Sequence, residues 1–158
     1  MERITTQTLL TGCELSQLAN ASVFGALPES AIRWLLDHGV IRRFNAADEL
    51  FSPAQPGNSF HIILQGSVAY YKFHDGRYAY IRTFNPGEQI GFVSMIALHD
   101  RVGRAEACEA VISLEIDSDT FHDFHLSQPM EFGILMMNLA REMARTLRKT
   151  NNILVERS

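Results

Sequence analysis

Five glycines between Gly57 and Arg101 constrain what this chain can fold into more than any other feature. Gly57, Gly66, Gly76, Gly87 and Gly91 punctuate short apolar runs, at places where a strand has to turn or another backbone has to come close. That rhythm predicts a small antiparallel β-roll. Asp75-Gly76 separates two aromatic-rich runs, Val68 to Phe73 and Tyr78 to Phe84, and supplies the positive φ angles of a type I′ hairpin turn. Pro86-Gly87 ends the second run, and alternation then gives way to Phe92 to Leu98, long enough for one or two helical turns. A short helix entered through a glycine and followed by an arginine suits a phosphate or another anion.

The segments around this roll read less sharply. Residues 4 to 20 predict a marginal helix interrupted near Gly12. Pro28 opens a better one, with Ile32, Leu35 and Leu36 on one face and Gly39 as its stop. Between Val40 and Phe51, apolar residues broken by Asn45-Ala46-Ala47-Asp48 suggest two strands and a turn. Beyond the polar loop His99 to Arg104, strands are expected near Ala105 to Glu109 and Ile112 to Ile116. Asp117, Ser118 and Asp119 offer N-caps for a short helix, and Pro129 separates it from a long one running to about Val155.

The expected fold is therefore mainly β with flanking α-helices: an antiparallel, jelly-roll-like β-roll (a double-stranded β-helix) with N-terminal helices and a long C-terminal helix. Three segments follow, an N-terminal helical segment (1–22), the roll with its flanking helices (23–127) and the long helix (128–158). At 158 residues the chain is long enough for one well-buried core. Its net charge of −4 argues against a chain-wide footprint for nucleic acid, so no direct nucleic acid partner is expected. Cys13 and Cys108 lie far apart without metal-ligand spacing, and no apolar run approaches the length of a membrane span. A cytoplasmic protein without a membrane partner is the reading.

Two stripes run along the C-terminal helix. Phe132, Leu135 and Leu139 are placed to cover the roll, whereas Met136, Ala140, Met143, Leu147, Thr150 and Leu154 recur at alternating spacings of four and three, the seam of a coiled coil. A helix of that length exceeds what a small roll can cover. A parallel homodimer through this seam is expected, with antiparallel or intramolecular packing as the alternative.

In this order the parts resemble the cyclic nucleotide-binding domain of the catabolite activator family and of cyclic-nucleotide-dependent kinase regulatory subunits. The resemblance spans roughly Val23 to Leu154. It rests on Phe24-Gly25-Ala26-Leu27-Pro28, Glu49-Leu50-Phe51, Gly57-Asn58-Ser59-Phe60-His61-Ile62, Gly66-Ser67-Val68 and Pro86-Gly87-Glu88-Gln89-Ile90-Gly91, then on Leu114-Glu115-Ile116 and Phe121. It implies a regulatory sensor module that signals through a C-terminal dimer helix, with a cyclic nucleotide (cAMP or cGMP) or another small anionic molecule as candidate ligand. A ligand-free module binding an unknown protein partner, or the sensor half of a longer transcription regulator, is the alternative. In the family a helix-turn-helix follows the long helix, and this sequence ends at Ser158.

The cassette that holds the ligand in that family reads Phe-Gly-Glu, a short helix, then Arg-Ser/Thr-Ala. The resemblance assigns the ligand-binding positions to Gly91, Phe92, Val93, Ser94, Arg101, Val102, Gly103 and Arg104. Here Ile90-Gly91-Phe92 stands at the first triplet, so the carboxylate that would accept from a ribose hydroxyl is missing, and the Phe92 ring is expected to compete for that space. A lost charged hydrogen bond of this kind costs on the order of 1.5–3 kcal/mol. Ungapped, the phosphate arginine falls on Arg101, followed by Val102 and Gly103, with Arg104 as a competing choice. Arg101 has a second reading as a loop arginine in solvent. These departures predict lost or altered cyclic nucleotide binding. His122 and His125, three apart, suggest a metal or heme contact or, more simply, two surface side chains. No nucleophile, base and oxyanion-donor constellation is present, so an enzyme is not the reading.

Overall fold

The computed structural model describes residues 1–158. Nine strands form two antiparallel sheets. The first contains β1 (Glu2–Ile4), β2 (Val40–Phe44), β9 (Val111–Asp117), β4 (Ser59–Gln65) and β7 (Gln89–Ile90), in that spatial order. The second runs β3 (Glu49–Phe51), β8 (Gly103–Ala107), β5 (Val68–His74) and β6 (Arg77–Phe84). The expected antiparallel roll is present. Its hairpin, β5 to β6, turns at Asp75 and Gly76, whose φ angles of 50° and 73° are those a type I′ turn requires.

β4 shows how the layers are stacked. Alternate side chains leave a strand on opposite faces, yet nearly every residue of β4 is buried, so both faces are covered. Phe60, Ile62 and Leu64 join the helical core with Leu35, Leu114 and Leu139. Ile63 joins a smaller core between the sheets, with Phe44, Val68, Ile90, Ala105 and Val111. Gly57 is needed at the entry to β4 because a Cβ there would overlap the carbonyl oxygen of His99, the residue after the αL end of the short helix.

Six helices flank the roll: α1 (Thr6–Gly12), α2 (Leu15–Leu18), α3 (Glu29–His38), α4 (Phe92–Ala97), α5 (Ser118–Ser127) and α6 (Pro129–Glu156). The interruption near Gly12 is real, and α1 and α2 lie on either side of it. α3 buries Ala31, Ile32, Leu35 and Leu36 and begins directly after Pro28. Asp117 caps α5 through its side chain, accepting from the Thr120 amide at 2.7 Å. α6 has 28 residues and, at 1.5 Å each, is about 42 Å long. Leu135 and Leu139 are fully buried against the roll, while Asn138 Nδ2 donates to the carbonyls of Val23 and Gly25 at 3.0 and 2.7 Å.

Three expectations change. β1 was not anticipated: three residues carry too little alternation to announce a strand, and it exists by pairing with β2. β8 starts at Gly103 rather than near Ala105, because Gly103 and Arg104 pair with Lys72 and Tyr71 of β5. The two stripes of α6 are also less separate than expected: Met136 and Met143 pack partly on the helical core, and Leu147 and Leu154 are each 62% exposed.

Candidate functional site

A cavity of about 470 Å³ lies between the roll and the middle of α6, within the size range of small-molecule sites. The second sheet contributes Tyr70, Ile81, Arg82 and Phe84, and the β7–α4 corner contributes Gln89, Ile90, Gly91, Val93 and Ser94. Phe51 and Val102 close one side. The opposite wall is α6 itself, through Glu142, Met143, Thr146, Leu147 and Thr150. Any occupant therefore touches both the roll and the long helix.

Of the expected ligand-binding residues, Gly91, Val93, Ser94 and Val102 line this cavity, while Phe92, Arg101, Gly103 and Arg104 do not. Phe92 is expected to compete for the ribose space, but its ring is turned the other way. It is fully buried in the helical core, with ring centroids 5.3 Å from Phe60 and 5.9 Å from Phe121. The amphipathicity of α4 explains this. Phe92 and Met95 face the core, whereas Val93 and Ile96 face outward.

Arg101 is not a solvent arginine. It is 4% exposed, and its guanidinium lies 4.3 Å over the Phe51 ring. Nη1 donates to the Gly91 carbonyl at 2.8 Å, and Nη2 donates to the Ser59 carbonyl and to Ser59 Oγ. Ser59 Oγ in turn donates to Glu115 at 3.0 Å, and Glu115 takes a further bond from Arg42 Nε. This chain of contacts links β2, β9, β4 and the loop before β8. Burial weakens the hold of Arg101 on its proton, opposed by Glu115 and Tyr70. Burial would raise the Glu115 carboxyl, but Arg42 and the Ser59 hydrogen bond outweigh it and hold the carboxyl low.

Arg104 points away from the cavity. Its Nε sits 3.5 Å from Glu106 and 3.9 Å from Glu49, and its guanidinium covers the rings of Tyr78 and Tyr71 at 4.7 and 5.0 Å. Gly103 packs against the Tyr70 ring, where a side chain would not fit. On α6, Met143, Leu147 and Thr150 of the expected seam line the cavity, whereas Met136, Ala140 and Leu154 do not.

The polar wall residues Arg82, Gln89, Glu142 and Thr146 were not anticipated as ligand positions. Arg82 Nη2 donates to Glu88 Oε1 at 2.6 Å, Nη1 reaches Thr146 Oγ1 at 3.4 Å, and its guanidinium stacks 4.1 Å from the Phe84 ring. Gln89 Oε1 accepts from the Phe92 amide at 3.2 Å, fixing the first turn of α4. Glu142 Oε1 accepts from the Gln89 amide at 3.4 Å. Its Oε2 is buried without a partner, and burial pushes the carboxyl up to about 7. His61 has the opposite problem: buried between the sheets with Nδ1 3.0 Å from Ser113 Oγ, it is pushed down to about 4 and stays neutral.

His122 and His125 have ring centroids 6.3 Å apart, and His125 stacks on Phe132 at 4.6 Å. No group of three or more His, Cys, Asp or Glu side chains is arranged to hold a metal ion. Cys13 and Cys108 are free thiols, and no helix is long and apolar enough to cross a membrane.

The model of the cyclic nucleotide-binding domain family matches residues 41–128. The CRP-like cAMP-activated global transcriptional regulator of Mycobacterium tuberculosis is 27% identical over 140 residues, covering 88% of this chain and 61% of the relative. The chain thus spans about three fifths of that relative's length. A cyclic nucleotide-binding domain from Methylobacillus flagellatus superposes with a TM-score of 0.83 at 16% identity, covering 99% of this chain and 89% of that one. The Thermus thermophilus catabolite activator protein superposes with a TM-score of 0.72 at 22% identity, covering 84% and 61%. With more than half of its length matched by the family model, the chain belongs to the cyclic nucleotide-binding domain family.

Proposed function

We propose that this chain is a regulatory sensor in which α6 reads the occupancy of the cavity and pairs two copies into a homodimer, and that its affinity for ordinary cyclic nucleotides is weakened. One observation carries the reading: α6 supplies an entire wall of the cavity, from Glu142 to Thr150. A ligand there changes what the helix packs against, and the exposed Leu147 and Leu154 lie on the same helix, ready to pair. The Mycobacterium tuberculosis relative is named as cAMP-activated, which makes a cyclic nucleotide the first ligand to test. Two departures argue for weakened binding. The arginine at the phosphate position is engaged by Gly91 and Ser59, and the residue at the ribose position is a core phenylalanine. The free thiols fit a reducing, cytoplasmic setting.

Amide hydrogen exchange on the full chain, with and without adenosine, guanosine, cAMP or cGMP at about millimolar concentration, tests the sensor reading. Protection rising along α4 and the 142–150 stretch of α6 with at least one of them supports it. Unchanged exchange with all four rejects it in favour of a ligand-free interaction module.

A further inference from the structure

The cavity under α6 offers an acceptor without a partner, and the cation that lines it is already engaged. Glu142 Oε2 is buried and unbonded on the helical wall. Arg82, the cation among the lining residues, is already bonded to Glu88 and Thr146 and stacked on Phe84. Arg101 lies outside the lining, turned toward Gly91 and Ser59. The rest of the wall is largely apolar, with nine hydrophobic residues of sixteen. Phe51, Tyr70 and Phe84 add three aromatic rings, surfaces that suit a flat ligand.

We infer that this cavity takes an uncharged, flat heteroaromatic molecule whose N–H group donates to the Glu142 carboxylate, in preference to an anion. The inference rests on the reading of the cavity as the sensed site. A phosphate entering here meets the carboxyl of Glu142 and, in Arg82, a guanidinium already engaged by Glu88, and a charge desolvated without a partner is strongly disfavoured. An N–H donor does the reverse: it satisfies the one orphaned oxygen of the wall and favours its ionised form. The height of the Glu142 carboxyl, about 7, is consistent with that missing donor. Burial is the main cause, Glu88 adds to it, and the Gln89 amide, Arg82 and Arg145 oppose it.

Calorimetric titration of the full chain at about pH 8, where Glu142 is mostly ionised, compares adenosine and guanosine with their 3′,5′-cyclic phosphates. At least one nucleoside is expected to bind about tenfold or more tighter than its own cyclic phosphate. Glu142→Leu, which replaces an unpaired carboxyl with an apolar group of similar size, is expected to weaken that nucleoside about tenfold. Glu142→Gln, which keeps an acceptor, should retain most of the binding. Cyclic phosphates binding as tightly as the nucleosides, no binding by either nucleoside, or an unchanged affinity in Glu142→Leu overturns the inference. Tight cyclic phosphate binding that protects α6 sinks this inference and leaves the sensor reading intact. Nucleoside binding with α6 unprotected does the opposite.

Discussion

Arg101 Nη1 donates to the carbonyl oxygen of Gly91 at 2.8 Å, joining the arginine that the family resemblance assigns to the phosphate position to the backbone that opens α4. Its other terminal nitrogen holds Ser59 at the start of β4. The side chain is thus a strut from the loop before β8 to the start of α4, 10 positions away, and to β4, 42 positions away. An anion that recruits it has to replace those bonds, so its net gain is smaller than a free guanidinium would give.

Arg101→Ala is therefore expected to destabilise the ligand-free chain by about 3 kcal/mol, since it strips donors from the Gly91 and Ser59 carbonyls and removes a positive charge that interacts with Glu115. Urea denaturation without ligand is the check. A change below about 0.5 kcal/mol, the size of an ordinary surface substitution, would mean the strut carries no stability.

Phe92 is expected to behave as a core residue. Phe92→Ala should cost about 3–5 kcal/mol, the range for removing a buried aromatic ring. Phe92→Glu should cost at least as much, because it places a carboxylate between Phe60 and Phe121. Thermal melts decide it. A Phe92→Glu chain that keeps its melting temperature and gains cyclic nucleotide affinity would restore the simpler picture of a missing ribose acceptor.

Glu142 makes stability depend on pH. Its carboxyl titrates near 7 in the folded chain and near 4.5 in the unfolded one, so the folded state binds the extra proton between those values. This contribution favours folding below about pH 4.5 and is lost as pH rises through 7. Other groups, His61 and Glu115 among them, work the opposite way on the acid side. The difference between wild type and Glu142→Gln isolates the effect: near zero at about pH 4, and about 2 kcal/mol in favour of the variant at about pH 8, allowing for solvent at its partly exposed side. Denaturation midpoints that track each other across this range would contradict it.

The pairing of α6 is tested by charge. Leu147→Glu with Leu154→Glu places like charges on both strands of a parallel seam, and the mass measured by sedimentation should halve. A wild-type chain that sediments as a monomer at tens of micromolar removes the dimer.

Local chemistry made much of the fold legible. Asp75-Gly76 announces its hairpin, Asp117 its cap, and the spacing of Leu135 and Leu139 the buried stripe of α6. The site was less legible because its key relationships are long-range. Ser59, Glu115 and Arg42 meet Arg101 only through the pairing of β2, β9 and β4, Arg42 and Glu115 being 73 positions apart. Phe92 reads as a ligand position in the motif, and only the amphipathicity of α4, with Met95 buried beside Val93 and Ile96 exposed, shows which way it turns. Glu142 looks like any carboxylate on the polar face of a helix until that face meets Gln89. The coiled-coil spacing of Met143 and Leu147 was equally ambiguous, since a seam and a cavity wall ask for the same residues.

Calorimetric titration of the wild-type chain with cAMP at about pH 7 tests most directly the proposal that ordinary cyclic nucleotides bind weakly here. A dissociation constant weaker than about 100 μM, or no detectable heat of binding, is the result expected of an arginine held by Gly91 and Ser59 and of an inward-turned phenylalanine standing where a ribose-accepting carboxylate would be. Low-micromolar or tighter binding would contradict it, showing that cAMP readily draws Arg101 away from both partners.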